Sequence, residues 1–452
     1  MSNEEIIAVA EGGVRARVHL FLPLLVRSVR KFRAGLCRSG EWKPATLDAK
    51  FYMRYIERIF CCGNDKSCAM TASCTVMQRT GLDMMLRIYD NSFRLAEARV
   101  YSFDTSIAML DLIAEVECEK IDTVADICSI FRQTDSCIVR LPADSAQNTS
   151  GRLRQPGEKV TVNSIAKEVL RPLGECSLFD HLSRDRATRA DVFTAIVAED
   201  TAENVNINMY RIADGLNARY NEKFPEEAIY MPFPHLRWAI TARGACSVGL
   251  MTADPYNRAF IRDKWIGIAE NRHALWYVLV LHQKYAMYHY LNEIAEGGDR
   301  AVLRDFQRKI VSFNTGYRFE IISEDDTYQK PYQMARDAKH VESVFSDIDE
   351  EIERINDYHN ASADKNNVIA MTIVSLVCAI STFVDIYELS AKGNTLGEIL
   401  SALSAVQLVL LGAVAVSILA AVAFLLVKPL VKRAMPAVKR WLLRVYSRLF
   451  LK

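Results

Sequence analysis

The sequence predicts an α+β cytosolic domain followed by a long stalk helix and a two-helix C-terminal transmembrane hairpin. Three observations predict it. Extended and helical patterns mix up to about residue 250, apolar residues recur at heptad spacing from Met334, and two apolar runs occupy Val368–Val384 and Leu403–Val427. These patterns divide the chain into a cytosolic α/β domain (1–250), a long-helix stalk (251–365), the hairpin (366–427) and a basic amphipathic tail (428–452).

A chain of 452 residues is long enough for at least two structural units. The formal net charge of +1 offers no whole-chain argument for a nucleic-acid partner, and none is expected. The 11 cysteines are odd in number and dispersed, which fits reduced thiols. Cys61, Cys62, Cys68 and Cys74 cluster without a zinc spacing. The apolar run His19–Val26 is short and follows Glu4 and Glu5, so no cleavable export signal is expected and the N-terminal part is placed in the cytosol.

Residues 1 to about 45 carry Arg15, Arg17, Arg27, Arg30, Lys31 and Arg33 around VHLFLPLLV and are expected to form a packed first helix. LDMMLRIYD, RLAEARVYSF and TSIAMLDLIAEVE read as strands, the last by alternation of apolar and polar positions. Short strands continue through CIVRLPAD and EKVTVNSIA, while SIAKEVLRPL, RADVFTAIVAED and NINMYRIADGLNARY read as helices. Trp276–Ala295 is strongly apolar, but His282, Gln283, Lys284 and His289 interrupt it, so it reads as a helix buried against others. Leu303, Phe306, Ile310, Phe313 and Tyr317 mark one face of the next helix.

Met334, Ala338, Val341, Phe345, Ile348, Ile352, Ile355 and His359 then follow steps of four and three, which is a heptad seam. No Pro or Gly interrupts Tyr332 to Lys392, so one continuous helix is expected to enter the first apolar run. The loop between the two runs is acidic and the tail from Lys428 is basic. That asymmetry places both termini inside a multi-pass protein of the inner (cytoplasmic) membrane, with the tail against anionic lipid. Asn367, Met371, Ser375, Cys378, Thr382 and Asp385 share one side of the first run. Two readings of that stripe stand: its hydroxyls bond their own helix backbone, or several copies surround an axis and the stripe lines a pore.

The order of parts over roughly residues 235–430, together with the string NNVIAMTIVSLVCAISTFVDIYEL, resembles the CorA family of divalent-cation channels and transporters. The family carries Tyr-Gly-Met-Asn at the outer mouth; here Tyr387 is followed by Glu388, Leu389 and Ser390, so the Gly-Met-Asn part is absent. The resemblance implies a funnel-shaped homopentamer, an outer mouth at Tyr387, Glu388 and Ser390, and a divalent cation such as magnesium. It also implies a regulatory metal, for which Asp347, Asp349, Glu350 and Glu353 supply carboxylates.

The expected function is an oligomeric cation channel or transporter gated by its cytosolic domain. The alternatives are a signal- or nucleotide-gated membrane effector of antiphage type, or a membrane-tethered binding scaffold without transport. No phosphate loop, HExxH or GxSxG occurs, and the adjacent Asp180 and His181 are an isolated pair, so no enzyme is expected.

Overall fold

The computed structural model describes residues 13–45, 47–60, 73–142, 157–171, 176–178, 190–200, 204–220, 223–295, 300–354 and Ile373. The chain divides into two compact units, Met1–Glu351 and Ile352–Lys452. All but a few of the described residues belong to the first unit, which is built on one 12-stranded mixed sheet.

The strands are β1 (Val14–Val26), β2 (Lys43–Pro44), β3 (Cys74–Ile88), β4 (Asn91–Phe103), β5 (Ile107–Cys118), β6 (Ile138–Arg140), β7 (Glu158–Val160), β8 (Cys176–Leu178), β9 (Asp191–Glu199), β10 (Ile229–Phe233), β11 (Leu236–Ile240) and β12 (Gly244–Met251). They run in the order β10-β11-β12-β9-β1-β5-β4-β3-β6-β7, with β2 on β3 and β8 on β1. β9 and β12 pair in parallel; the other described pairs are antiparallel.

β1 is the centre of the sheet, hydrogen-bonded to β5 on one side and to β9 on the other. Helix was expected for VHLFLPLLV, and the structure corrects this to strand. A strand buried on both faces loses the alternation that marks half-buried strands and reads as a continuous apolar run. The same reason corrects RADVFTAIVAED, expected as helix and found as β9, whose first eight residues are all buried. The strand readings of β3 to β7 and the helical readings of SIAKEVLRPL and NINMYRIADGLNARY agree with the structure.

One face of the sheet carries Ala16, Val18, Leu20, Leu22 and Leu24 of β1 into a core shared with α1 (Val29–Arg38), α3 (Ile121–Phe131), α4 (Val162–Leu170) and α5 (Val205–Asp214). A short α2 (Arg54–Phe60) precedes β3. The opposite face is covered by α6 (Pro255–Ile268), a π-helical turn (Ala269–His273), α7 (Ala274–Ala295) and α9 (Asp326–Ala338), with α8 (Arg300–Tyr317) packed on α7. The polar residues of α7 fit its buried position: His282 stacks on Phe103 with centroids 3.6 Å apart, and Gln283 donates to the Tyr317 carbonyl at 2.6 Å.

Two corrections concern the C-terminal half. The helix expected to run unbroken from Tyr332 stops at Ala338. Lys339 and His340 form a turn with His340 in left-handed backbone at φ 54°, and a separate helix, α10, occupies 341–354. A left-handed residue ends an α-helix without any Pro or Gly, so the absence of those two did not guarantee continuity.

Among the described residues no helix is long and apolar enough to cross a membrane. The architecture found among the described residues is a large mixed sheet between helical layers, where a stalk feeding a transmembrane hairpin was expected. The fold class, the membrane-channel class and the inner-membrane, multi-pass location are corrected accordingly. Apart from Ile373, the two apolar runs on which they rested lie outside the described residues, and the strongly apolar α7 spends its side chains on the sheet.

Gly244 opens β12 where a Cβ would lie 2.6 Å from the Ala213 carbonyl oxygen and 2.7 Å from that of Val192. Both neighbours are backbone and cannot swing aside. Gly244→Ala is expected to destabilise the unit by about 1–3 kcal/mol through overpacking, read as a lowered midpoint in thermal unfolding.

Candidate functional site

The helix-covered face opposite the α1/α3/α4/α5 core is laid out in cross-strand rows. Asp191, Phe21, Asp111 and Arg99 stand side by side on β9, β1, β5 and β4; Phe193, His19, Ile113 and Glu97 form the next row, and Ala195, Arg17, Glu115 and Arg94 the third. Residues opposed in register point to the same side. Eight ionisable side chains therefore meet within three cross-strand rows.

His19 is the centre of the arrangement. Its Nδ1 lies 2.9 Å from Asp111 Oδ2 and its Nε2 3.3 Å from Glu270 Oε1. Glu270 comes from the π-helical turn, whose wider winding delivers it onto the sheet. Glu270 also faces Arg17 at 3.2 Å; Arg17 meets Glu115 at 2.7 Å, and Arg94 donates to Glu115 and to Asp83. Arg99 donates to Glu97 at 2.8 Å and reaches Asn271 of the π turn at 3.5 Å.

Side-chain exposure falls steadily along this chain of charges: Asp83 65%, Arg94 42%, Glu115 26%, Arg17 25%, Glu270 8%, His19 and Asp111 0%. The network is thus an ionic path from solvent to the middle of the sheet.

Charge balance fixes the state of the imidazole. Inside Asp83, the guanidiniums of Arg17, Arg94 and Arg99 face the carboxylates of Glu97, Asp111, Glu115 and Glu270, and a protonated His19 completes neutrality. Burial acts to lower the His19 pKa, but Asp111 and Glu270 outweigh it and raise it to about 9. Burial acts to raise the Glu270 pKa, and His19, Arg17 and Arg99 hold it down at about 2. These shifts favour the imidazolium form of His19 and the carboxylate form of Glu270 at neutral pH.

A second buried cluster shares the Asp191 row. Lys339 Nζ donates to Asp191 Oδ1 at 2.5 Å and to the Ala242 carbonyl at 3.2 Å, and it lies over the Tyr277 ring at 5.0 Å. Tyr285 donates its hydroxyl to Asp191 Oδ2. Burial lowers the Lys339 pKa to about 8, against the pull of Asp191. For Asp191, Lys284, Lys339 and the Tyr285 hydroxyl overcome burial and hold the carboxyl below the ordinary range. Phe21 separates the two clusters, with Tyr277 5.7 Å and Tyr101 6.3 Å away between centroids.

The stripe Asn367, Met371, Ser375, Cys378, Thr382 and Asp385, and the mouth residues Tyr387, Glu388 and Ser390, lie outside the described residues, as do Asp180 and His181. Asp347, Glu350 and Glu353 are exposed on α10, and Asp349 accepts from Arg318 at 2.9 Å. Among the described residues no group of three or more His, Cys, Asp or Glu is placed to hold a metal ion. His282 hydrogen-bonds Thr105 at 2.9 Å, and His289 faces Glu293 at 3.5 Å.

The residues of the ionic path were missed by sequence reasoning, although a signal existed. His19 and Asp111 each interrupt a run of apolar residues, and an ionisable residue buried in such a run requires a partner from a neighbour. Comparison of the chain with protein-family models, characterised proteins and solved structures finds no match.

His19 is protonated in the folded state up to about pH 9 and in the unfolded chain only to about 6.5. Its contribution is therefore fully present below pH 6.5 and lost as pH rises through 9. His19→Gln is expected to cost about 3 kcal/mol near pH 6, and the gap between the two proteins in denaturant unfolding should close by about pH 9.5.

Proposed function

We propose that the Met1–Glu351 unit is the sensor of a signal-responsive effector protein, reading an ionic signal rather than catalysing a reaction. The effector part is assigned to the C-terminal segment. One observation carries the reading: the fully buried His19 sits between the carboxyl groups of Asp111 and Glu270 at the inner end of a chain of charged side chains that begins in solvent.

Internal neutrality is what makes such a path responsive. An ion arriving at the exposed Arg94–Glu115–Arg17 end competes for the partners of the buried groups. The cost of an unmatched buried charge is several kcal/mol, large enough to shift a conformational equilibrium. The π turn that carries Glu270 is continuous with α7, and α7 carries Tyr285 to Asp191 and so to Lys339. A change at His19 therefore has a covalent and packed route to the start of α10.

The test is hydrogen exchange on the full chain, comparing wild type with Glu270→Gln at pH 7. Faster exchange is expected in the π turn and again in α9 and α10, with α3, α4 and α5 on the other face unchanged. A change confined to the π turn and the adjacent strands would count against a sensing role and leave a static ion cluster.

A further inference from the structure

α10 begins immediately after Lys339, and its apolar side is the stretch Val341, Val344, Phe345 and Ile348, all buried. Phe345 packs on Phe313, with centroids 6.1 Å apart, and under the Arg318 guanidinium at 4.6 Å. Three cations secure the helix from outside that side. Arg318 donates to Asp349 at 2.9 Å and also to Glu342; Arg336 donates to Glu342 at 2.6 Å; Lys339 reaches Asp191 in the sheet.

Val341, Phe345 and Ile348 are also consecutive members of the heptad seam, which continues in the sequence through Ile352, Ile355 and His359. A seam with an average step of 3.5 residues is the pattern that pairs one helix with another of its kind. In the folded unit that pattern is covered by α8 and the segment after it. We propose that α10 is a masked self-association face: the unit holds it closed through Arg318, Arg336 and Lys339, and release pairs it with α10 of a second copy of this chain.

Charge explains why the closed form prevails at rest. The flank of the helix bears Asp347, Asp349, Glu350, Glu351 and Glu353 against Arg354 alone. Two copies side by side would set acid against acid, a repulsion that partner-selecting flanks of paired helices are known to exert. The docked helix instead finds Arg318 and Arg336. His340, in left-handed backbone between α9 and α10, supplies the break at which α10 can swing. The inference rests on the sensor reading only for its trigger.

The experiment uses the full chain. Arg318→Glu turns two attractions into repulsions at a partly exposed position and leaves the sheet untouched; the pair Asp191→Asn with Lys339→Met removes the inner tether without stranding a buried charge. Each is expected to speed amide exchange at 341–348 at least tenfold and to strengthen self-association at least tenfold in sedimentation equilibrium. Phe345→Glu added to either should return the association to the wild-type value. Unchanged exchange overturns the masking. Faster exchange without association, or association that survives Phe345→Glu, overturns the second copy as partner. If Arg318→Glu releases the helix while Glu270→Gln does not, the masking stands and the sensor reading fails.

Discussion

The described structure depends on one constraint: β1 must hold a charge at its centre while buried on both faces. The strand is paired on either edge, to β5 and β9, so neither edge offers water to His19. An imidazole without partners in that position would be forced neutral. Asp111 from the neighbouring strand and Glu270 from the π turn reverse that preference, and each carboxylate in turn needs the imidazolium. The two carboxylates thereby face the two ring nitrogens of one imidazolium.

The layout around this triplet follows from the need to satisfy it. The helix between α6 and α7 widens into a π turn at the residues that reach the sheet, Glu270 and Asn271. Arg17, two residues before His19, bridges Glu270 to Glu115, and the path then widens to solvent through Arg94. Such buried ions add little net stability against an apolar replacement of the same shape. Their consequence is conditional: the packing on this face is good only while every charge keeps its partner. The opposite face is lined mainly by apolar side chains such as Val18, Leu20, Leu112 and Val100, and its buried Arg33 is held by Ser102 rather than by a carboxylate. One sheet thus has a face fixed by apolar packing and a face set by charge.

The sequence revealed the elements better than their arrangement. Alternation identified β5, and polar interruptions identified α7 as a buried helix. Two strongly buried strands, β1 and β9, were misread because double burial erases the period-two signal. RADVFTAIVAED is as compatible with a short helix as with a strand until its neighbours are known. The heptad seam was visible, and its Val341, Phe345 and Ile348 are indeed one apolar side, but the turn at Lys339–His340 was not. Its left-handed residue is a histidine, a type that tolerates such backbone without announcing it. The ionic path was hidden for another reason: its members are separated by up to 253 residues, from Arg17 to Glu270, and only the tertiary fold brings them together.

The central claim is that His19 carries a proton at neutral pH. Nitrogen-15 NMR of imidazole-labelled full chain reads this directly, from the shifts of Nδ1 and Nε2 as pH is raised from 5 to 10. The account predicts an imidazolium at pH 7 that titrates near pH 9. A neutral tautomer at pH 7, or a titration at or below 6.5, would contradict it.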